Sequence, residues 1–305
     1  MDDSGQVLSV VFSAPSDNNW RNVVKTPSSK IAMPTLVTIT LKDGETIKFI
    51  PEMLGNGQAR DVLGGTLQDT TTQCSWIVKI QEWQRWHEVS NGREYRLGIG
   101  PLEPFTPKML GCAKCMYRTW KKGEYKIVGL SVLVVARVAE TMEQFFNKLI
   151  MQPAVPTSVR LLLGLVKSLF DIILACGRLM IKLTDLKTDN IGVDKNNRVV
   201  LLDIESAERQ PNTGDARWDP LLKSRASQGM KTFFHNLWIH GQRPQTDSSW
   251  KQCLQRIVDS IHQNWWRSLT TLPADTDVAA VIHECSQDLM TTLVTPDTTT
   301  SSTNA

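Results

Sequence analysis

The stretch Thr184 to Glu205, TDLKTDNIGVDKNNRVVLLDIE, holds an aspartate (Asp185), a lysine two residues on (Lys187), an asparagine (Asn190) and, after an apolar run, a further aspartate (Asp203). These residue types in this order suit phosphoryl transfer, in which a protein mainly positions groups and neutralises charge. Asp185 could accept or orient the proton of an attacking hydroxyl, and Lys187 could hold a γ-phosphate. Asn190 and Asp203 offer the hard oxygens that Mg2+ takes, of which a protein usually supplies only one or two carboxylates. Asp203 ends the apolar run VVLLD, so a packed strand would fix its carboxylate. A hairpin through Asp194-Lys195-Asn196-Asn197 would bring Asn190 and Asp203 around one ion. The competing reading is plain turn chemistry, which Asp and Asn also favour.

The elements that must carry these groups follow from periodicity. The chain has 305 residues, of which 41% are hydrophobic, enough for one large domain or two modest lobes. Residues 1–34 are polar and aperiodic and are expected to be loosely ordered. From Thr35 the chain turns β-rich. LVTITLKDGETIKFI predicts a hairpin turning at Lys42-Asp43-Gly44, CSWIVKIQ predicts a strand, and two more strands are expected at Pro107–Arg118 and Tyr125–Val138. EWQRWHEVSNGREYRLG between them carries a helical pattern. A connector at 136–140 precedes a mainly helical segment, 141–293, with a long apolar helix from about Ser158 to Leu179. The Thr/Ser-rich end, 294–305, is expected to be disordered. This is an α+β chain in two lobes, a β-rich N-lobe over 35–135 and a helical C-lobe, with a ligand cleft expected between them.

DLKTDN resembles the catalytic loop of protein kinases, and Asp203-Ile204-Glu205 stands where that family has its metal-binding D-F-G aspartate. Three upstream parts follow the same pattern in order. Gly55-Asn56-Gly57-Gln58-Ala59-Arg60-Asp61-Val62 is similar to the glycine-rich loop, with Arg60 in place of its last glycine. WIVK is similar to the strand that carries the phosphate-pairing lysine, here Lys79. Its helix partner would be Glu94, or else Glu88. VLVVARVAE looks like the hinge, with Val135 beside the adenine pocket and Ala136 to Val138 offering backbone hydrogen bonds. The resemblance implies a two-lobed protein kinase-like fold and an ATP- and Mg2+-dependent phosphotransferase. In it Asp185 and Lys187 act on the transferred group, and Asn190 and Asp203 bind metal. Gly55, Gly57, Val62, Lys79, Glu94 and the hinge would hold the nucleotide.

The departures bear on the acceptor. Leu183-Thr184 replaces the H-R that precedes the catalytic aspartate, so the arginine that receives an activation-loop phosphate is missing. Glu205 replaces the D-F-G glycine, and no A-P-E is present. LLDIE is close to the pattern of aminoglycoside and choline kinases, whereas Lys187 is the mark of Ser/Thr protein kinases. A divergent Ser/Thr protein kinase is therefore the first reading, with a protein hydroxyl as acceptor. A small-molecule kinase and a pseudokinase scaffold are the alternatives.

Other classes fit less well. The net charge of +3 is spread along the chain without a basic block, so nucleic acid is not implied. The apolar run from Leu161 to Leu183 is broken by Lys167, Asp171, Arg178 and Lys182, which argues for a buried helix rather than a membrane span. No signal peptide is read at the start. Six cysteines in a chain this long are no disulfide framework, so a reducing, cytoplasmic setting is expected. Cys112-x-x-Cys115 lies in a strand-like segment and reads as structural, and the five histidines show no metal spacing.

Overall fold

The computed structural model describes residues 5–13, 33–56, 60–82, 90–121, 124–179, 181–183, 185–205, 207–209, 233, 235–239 and 241–260. Gly57, Glu88, the segment 261–293 and the end 294–305 lie outside the described residues. The chain divides into two compact units, Met1–Arg137 and Val138–Ala305.

The first unit is built on a seven-stranded antiparallel sheet in the order β1-β2-β3-β4-β5-β7-β6. Its strands are β1 (Val7–Ser13), β2 (Leu36–Leu41), β3 (Thr46–Asn56), β4 (Asp61–Leu67), β5 (Trp76–Glu82), β6 (Met109–Lys121) and β7 (Glu124–Ala136). The sheet curls until its ends nearly meet, where the Gln6 N–H donates to Leu110 O at 2.9 Å. Val10, Val37, Ile39, Phe49, Leu63, Val78, Tyr117 and Val132 fill the inside. β2 and β3 form the expected hairpin. Gly44, at φ +91°, supplies the left-handed turn residue, and Asp43 accepts from the Glu45 N–H at 2.9 Å.

Val7–Ser13 corrects the expectation that residues 1–34 are loosely ordered. It pairs with β2 and buries Val7, Val10 and Phe12. A register irregularity between Val7 and Ser9 breaks the strict alternation by which a strand is recognised in sequence.

One helix, α1 (Ser90–Gly98), packs on the outer face of this sheet through Tyr95, which meets Leu133 and Val135. Register places Val62 opposite Lys79 and Lys79 opposite Leu133, so all three share that face. Leu63, Val78 and Val134 point the other way, into the core.

The second unit carries α2 (Met142–Ile150) and α3 (Pro156–Arg178). Thr141 and Gln144 make a reciprocal capping box that starts α2, and Met142, Phe146 and Ile150 form its buried stripe. α3 buries Val159, Leu162, Leu163, Val166, Leu169, Ile172, Ile173 and Cys176, a wide apolar face that sets its amphipathic period. Short strands flank these helices: β8 (Glu140–Thr141) before α2, and β9 (Ile181–Lys182), β10 (Ile191–Val193), β11 (Val199–Leu201) and β12 (Glu208–Arg209) after α3. β10 pairs with β11 and β8, and β9 pairs with β12. A further helix spans Ser248–Ser260, with Trp250, Leu254 and Ile257 buried. Among the described residues no helix is long and apolar enough to cross a membrane.

Candidate functional site

In the second unit the stretch from Asp185 to Asp203 is a loop followed by a hairpin. Leu186 and Thr188 are buried and anchor the loop, and Thr188 O accepts from the Glu143 N–H at the start of α2 at 3.2 Å. Two tight turns, Lys187 N–H to Asp185 O at 3.1 Å and Asn190 N–H to Lys187 O at 3.0 Å, hold the intervening chain. The hairpin turn forms where the sequence places it. The Asp194 carboxylate accepts from the amides of Asn196 (2.8 Å) and Arg198 (2.9 Å), and Asn197 takes the left-handed conformation at φ 57°. Burial acts to raise the Asp194 carboxyl, but these amides and the Arg198 side chain outweigh it and hold it below its ordinary value.

Pairing of Ile191 with Leu201 sets Asn190 opposite Leu202, whose N–H donates to Asn190 O at 2.9 Å. Asp203 is the next residue. Asp185, Asn190 and Asp203 consequently line one small concavity, floored by Leu183, Leu186, Leu201, Ile204 and Ala207. Asn190 Nδ2 donates to Asp185 Oδ2 at 2.9 Å and to Asp185 O at 3.1 Å. A carboxylate only accepts, so this contact assigns the amide nitrogen to Asp185 and turns the amide oxygen away from it. Lys187 Nζ lies 2.9 Å from Asp185 Oδ2. That hydrogen bond raises the Lys187 ammonium above its ordinary value. Partial burial opposes it, and the charges of Asp185, Asp189 and Asp203 add to it. Asp189 was not singled out in the sequence. A third acidic residue in a turn carries no signal of its own.

The donor set fits Mg2+. Among the described residues no three His, Cys, Asp or Glu side chains converge into a metal cage. Mg2+ does not need one, because it keeps waters and substrate oxygens and takes one or two protein ligands. Asp203 and Asn190, one carboxylate and one amide, line one concavity and match that modest requirement.

In the first unit Lys79, on β5, is buried and its Nζ lies 2.5 Å from Glu94 Oε1 on α1. Glu94, one of the two partners left open by the sequence, pairs with Lys79; the other, Glu88, lies outside the described residues. Arg60 was read only as a substituted glycine. It is 5% exposed, and its guanidinium donates to the other Glu94 oxygen and to Asn91 Oδ1, the latter at 3.2 Å. Asn91 Nδ2 in turn donates to Lys79 O (3.1 Å) and Ser131 O (2.8 Å), tying the start of α1 to β5 and β7. A lone arginine or asparagine in a polar stretch reads as solvated, so neither was legible in the sequence.

The remaining expected nucleotide contacts fall out unevenly. Gly55 lies at the end of β3, at an irregularity between Met53 and Gly55. Val62 is half-buried on the Lys79 face. Val135 is buried against Tyr95. Two of the expected backbone donors in the hinge are already committed. The Ala136 N–H is spent on Lys108 O at 2.7 Å and the Arg137 N–H on Ser75 O at 2.8 Å, because the sheet's hydrogen bonding runs through these residues. Base recognition from this stretch would fall to Val138 and to carbonyls.

Cys112 and Cys115 stand three apart on β6 and face opposite sides of the sheet. Cys112 packs with Tyr95, and Cys115 packs against the core. That excludes a cooperating thiol pair, in keeping with the structural reading. Both are free, as are Cys74, Cys176 and Cys253.

No family model matches the chain, and no curated protein matches its sequence. Among solved structures it is similar to the Legionella pneumophila effector kinase LegK7, solved in complex with human MOB1A. The identity is 12% and the TM-score 0.50, over 79% of this chain and 56% of that one. A likeness at this identity is one of fold: the chain has a kinase-like fold. It spans little more than half the length of that neighbour.

Proposed function

We propose that the chain is an ATP-dependent phosphotransferase of the protein kinase-like type, passing the γ-phosphate to a hydroxyl. The observation that carries this reading is the convergence of Asp185, Asn190 and Asp203 on one concavity with Lys187 on the Asp185 carboxylate. The kinase-like fold and the Lys79–Glu94 ion pair support it. The two-lobed arrangement of a β-rich N-lobe and a helical C-lobe belongs to the same proposal.

In this reading Lys79, oriented by Glu94, pairs with the α- and β-phosphates. Gly55, Gly57 and Val62 cover the nucleotide, and Val135 to Val138 border the base. Asn190 and Asp203 would hold Mg2+, which when bound would supply positive charge against the phosphates. Asp185 orients the acceptor hydroxyl and takes its proton. Its hydrogen bonds from Lys187 and Asn190 fix the carboxylate before the acceptor arrives. Lys187 then meets the charge that builds on the γ-phosphate. A protein Ser/Thr hydroxyl is the first acceptor class, because Lys187 stands at the protein-kinase position. The free thiols fit a reducing, cytoplasmic setting.

Labelled ATP, incubated with the full chain, Mg2+ and a panel of peptide and small-molecule hydroxyls, tests the proposal. Mg2+-dependent label on a peptide or on the chain itself is the expected result. Label confined to small molecules would move the acceptor to that class. Mg·ATP binding without transfer to any acceptor would replace the enzyme with a scaffold.

A further inference from the structure

Glu94 is held by two cations, not one. Its carboxylate gives one oxygen to Lys79 on β5 and the other to Arg60, which leads into β4. All three side chains are at least 92% buried. Arg60 also reaches Asn91, one turn earlier on α1, so a single guanidinium grips the helix at two points. Lys79 grips it at Glu94. Arg60 stands where the resemblance expects a glycine, which could make no such contact.

We propose that Arg60 is a positioning residue that clamps α1 to β4 and so keeps Glu94 on Lys79 without a ligand or a modification. This deepens the proposed function and rests on its assignment of Lys79 to the nucleotide phosphates. The physical reason is that both ends of the clamp are protein. To swing α1 away, Arg60, Glu94 and Asn91 would each have to leave a buried partner. The planar fork of arginine can serve Glu94 and Asn91 together, whereas one ammonium is a point donor on a flexible stem. The sequence also lacks the arginine before Asp185 through which a loop phosphate would act. A fixed clamp on α1 replaces a switched one, and the engaged arrangement is the resting arrangement.

The test is hydrogen–deuterium exchange of the α1 amides in the full chain without nucleotide, for wild type, Arg60→Met, Arg60→Lys and Lys79→Met. Arg60→Met is expected to speed α1 exchange about tenfold or more, with Arg60→Lys between it and wild type. Lys79→Met is expected to speed it less, because Arg60 still holds the helix. Wild-type exchange in Arg60→Met overturns the proposal, as does release of α1 by Lys79→Met as complete as that by Arg60→Met. If Arg60→Met does not fold, Arg60→Lys decides through transfer kinetics. A kcat lowered about fivefold or more with KM for ATP little changed supports a positioning role, and wild-type kcat with wild-type exchange overturns it. Exchange is read without nucleotide, so the two claims separate. A chain with the expected exchange pattern that binds no Mg·ATP keeps the clamp and loses the nucleotide assignment.

Discussion

Asn190 turns its side-chain amide onto Asp185, with Nδ2 at 2.9 Å from the carboxylate and 3.1 Å from the backbone carbonyl of the same residue. The nitrogen of this side chain is thereby committed to Asp185, and in the proposed function its oxygen is the atom offered to Mg2+. Asn190→Asp has nearly the same shape but no donor, and it sets a second carboxylate against the first. It is expected to lower stability by about 1–2 kcal/mol and to lose most transfer activity. Chemical denaturation and a transfer assay check this. Full activity in Asn190→Asp would mean that the amide contact does not organise Asp185.

Glu94 is the shared partner of two buried cations, so its removal should cost more than that of a surface charge. Glu94→Ala leaves Arg60 and Lys79 without it and is expected to destabilise the chain by about 3–5 kcal/mol. Glu94→Gln keeps the shape and one acceptor oxygen, sets an N–H donor against the other cation, and should cost less than Glu94→Ala. A Glu94→Ala unfolding curve that overlays wild type would show that the pairing contributes nothing.

The raised Lys187 ammonium gives a prediction with a definite sign. Its hydrogen bond with Asp185 comes first among the causes, ahead of opposing burial and of the charges of Asp185, Asp189 and Asp203. A group raised in the folded state stabilises fully below its ordinary value, here 10.5, and loses that contribution as pH rises through the raised value. The stability difference between wild type and Lys187→Met should be small, because Lys187 is half exposed, and constant through neutral pH. It should shrink only in alkali. A difference that fades near neutrality would contradict the pairing.

Burial pushes the Cys115 thiol up to about 11 and the Cys176 thiol up to about 12. The thiolate is the reactive form, so both should resist iodoacetamide in the native chain and react once it is unfolded. Mass spectrometry of the labelled peptides checks this. Rapid native labelling of Cys176 would contradict its place in the buried face of α3.

The hairpin that follows Asn190 was legible because its signals are local: an Asp-Lys-Asn-Asn turn, an apolar run on each side, and register that follows from the turn. The paired Lys79 was legible for a similar reason, as a charge inside an apolar strand. β1 was hidden because its partner β2 is more than twenty residues away and an irregularity disrupts its alternation. The Arg60–Glu94–Asn91 contacts were hidden because they join residues about thirty apart through a sheet that only the fold assembles. The spent amides of Ala136 and Arg137 were hidden because neighbouring segments, not the hinge itself, decide which donors remain.

The proposed metal-assisted phosphoryl transfer at the Asp185 concavity separates into a metal role and an acceptor role, which two variants compared side by side tell apart. Asp203→Ala removes the one carboxylate assigned to the metal. Asp185→Ala removes the group assigned to the acceptor and leaves the carboxylate assigned to the metal in place. Mg·ATP affinity by calorimetry and phosphate transfer from labelled ATP are measured on both. The account predicts that Asp203→Ala loses Mg2+-dependent ATP binding, whereas Asp185→Ala keeps binding near wild type and loses transfer. Wild-type transfer by Asp185→Ala, or unchanged Mg·ATP binding by Asp203→Ala, would contradict it.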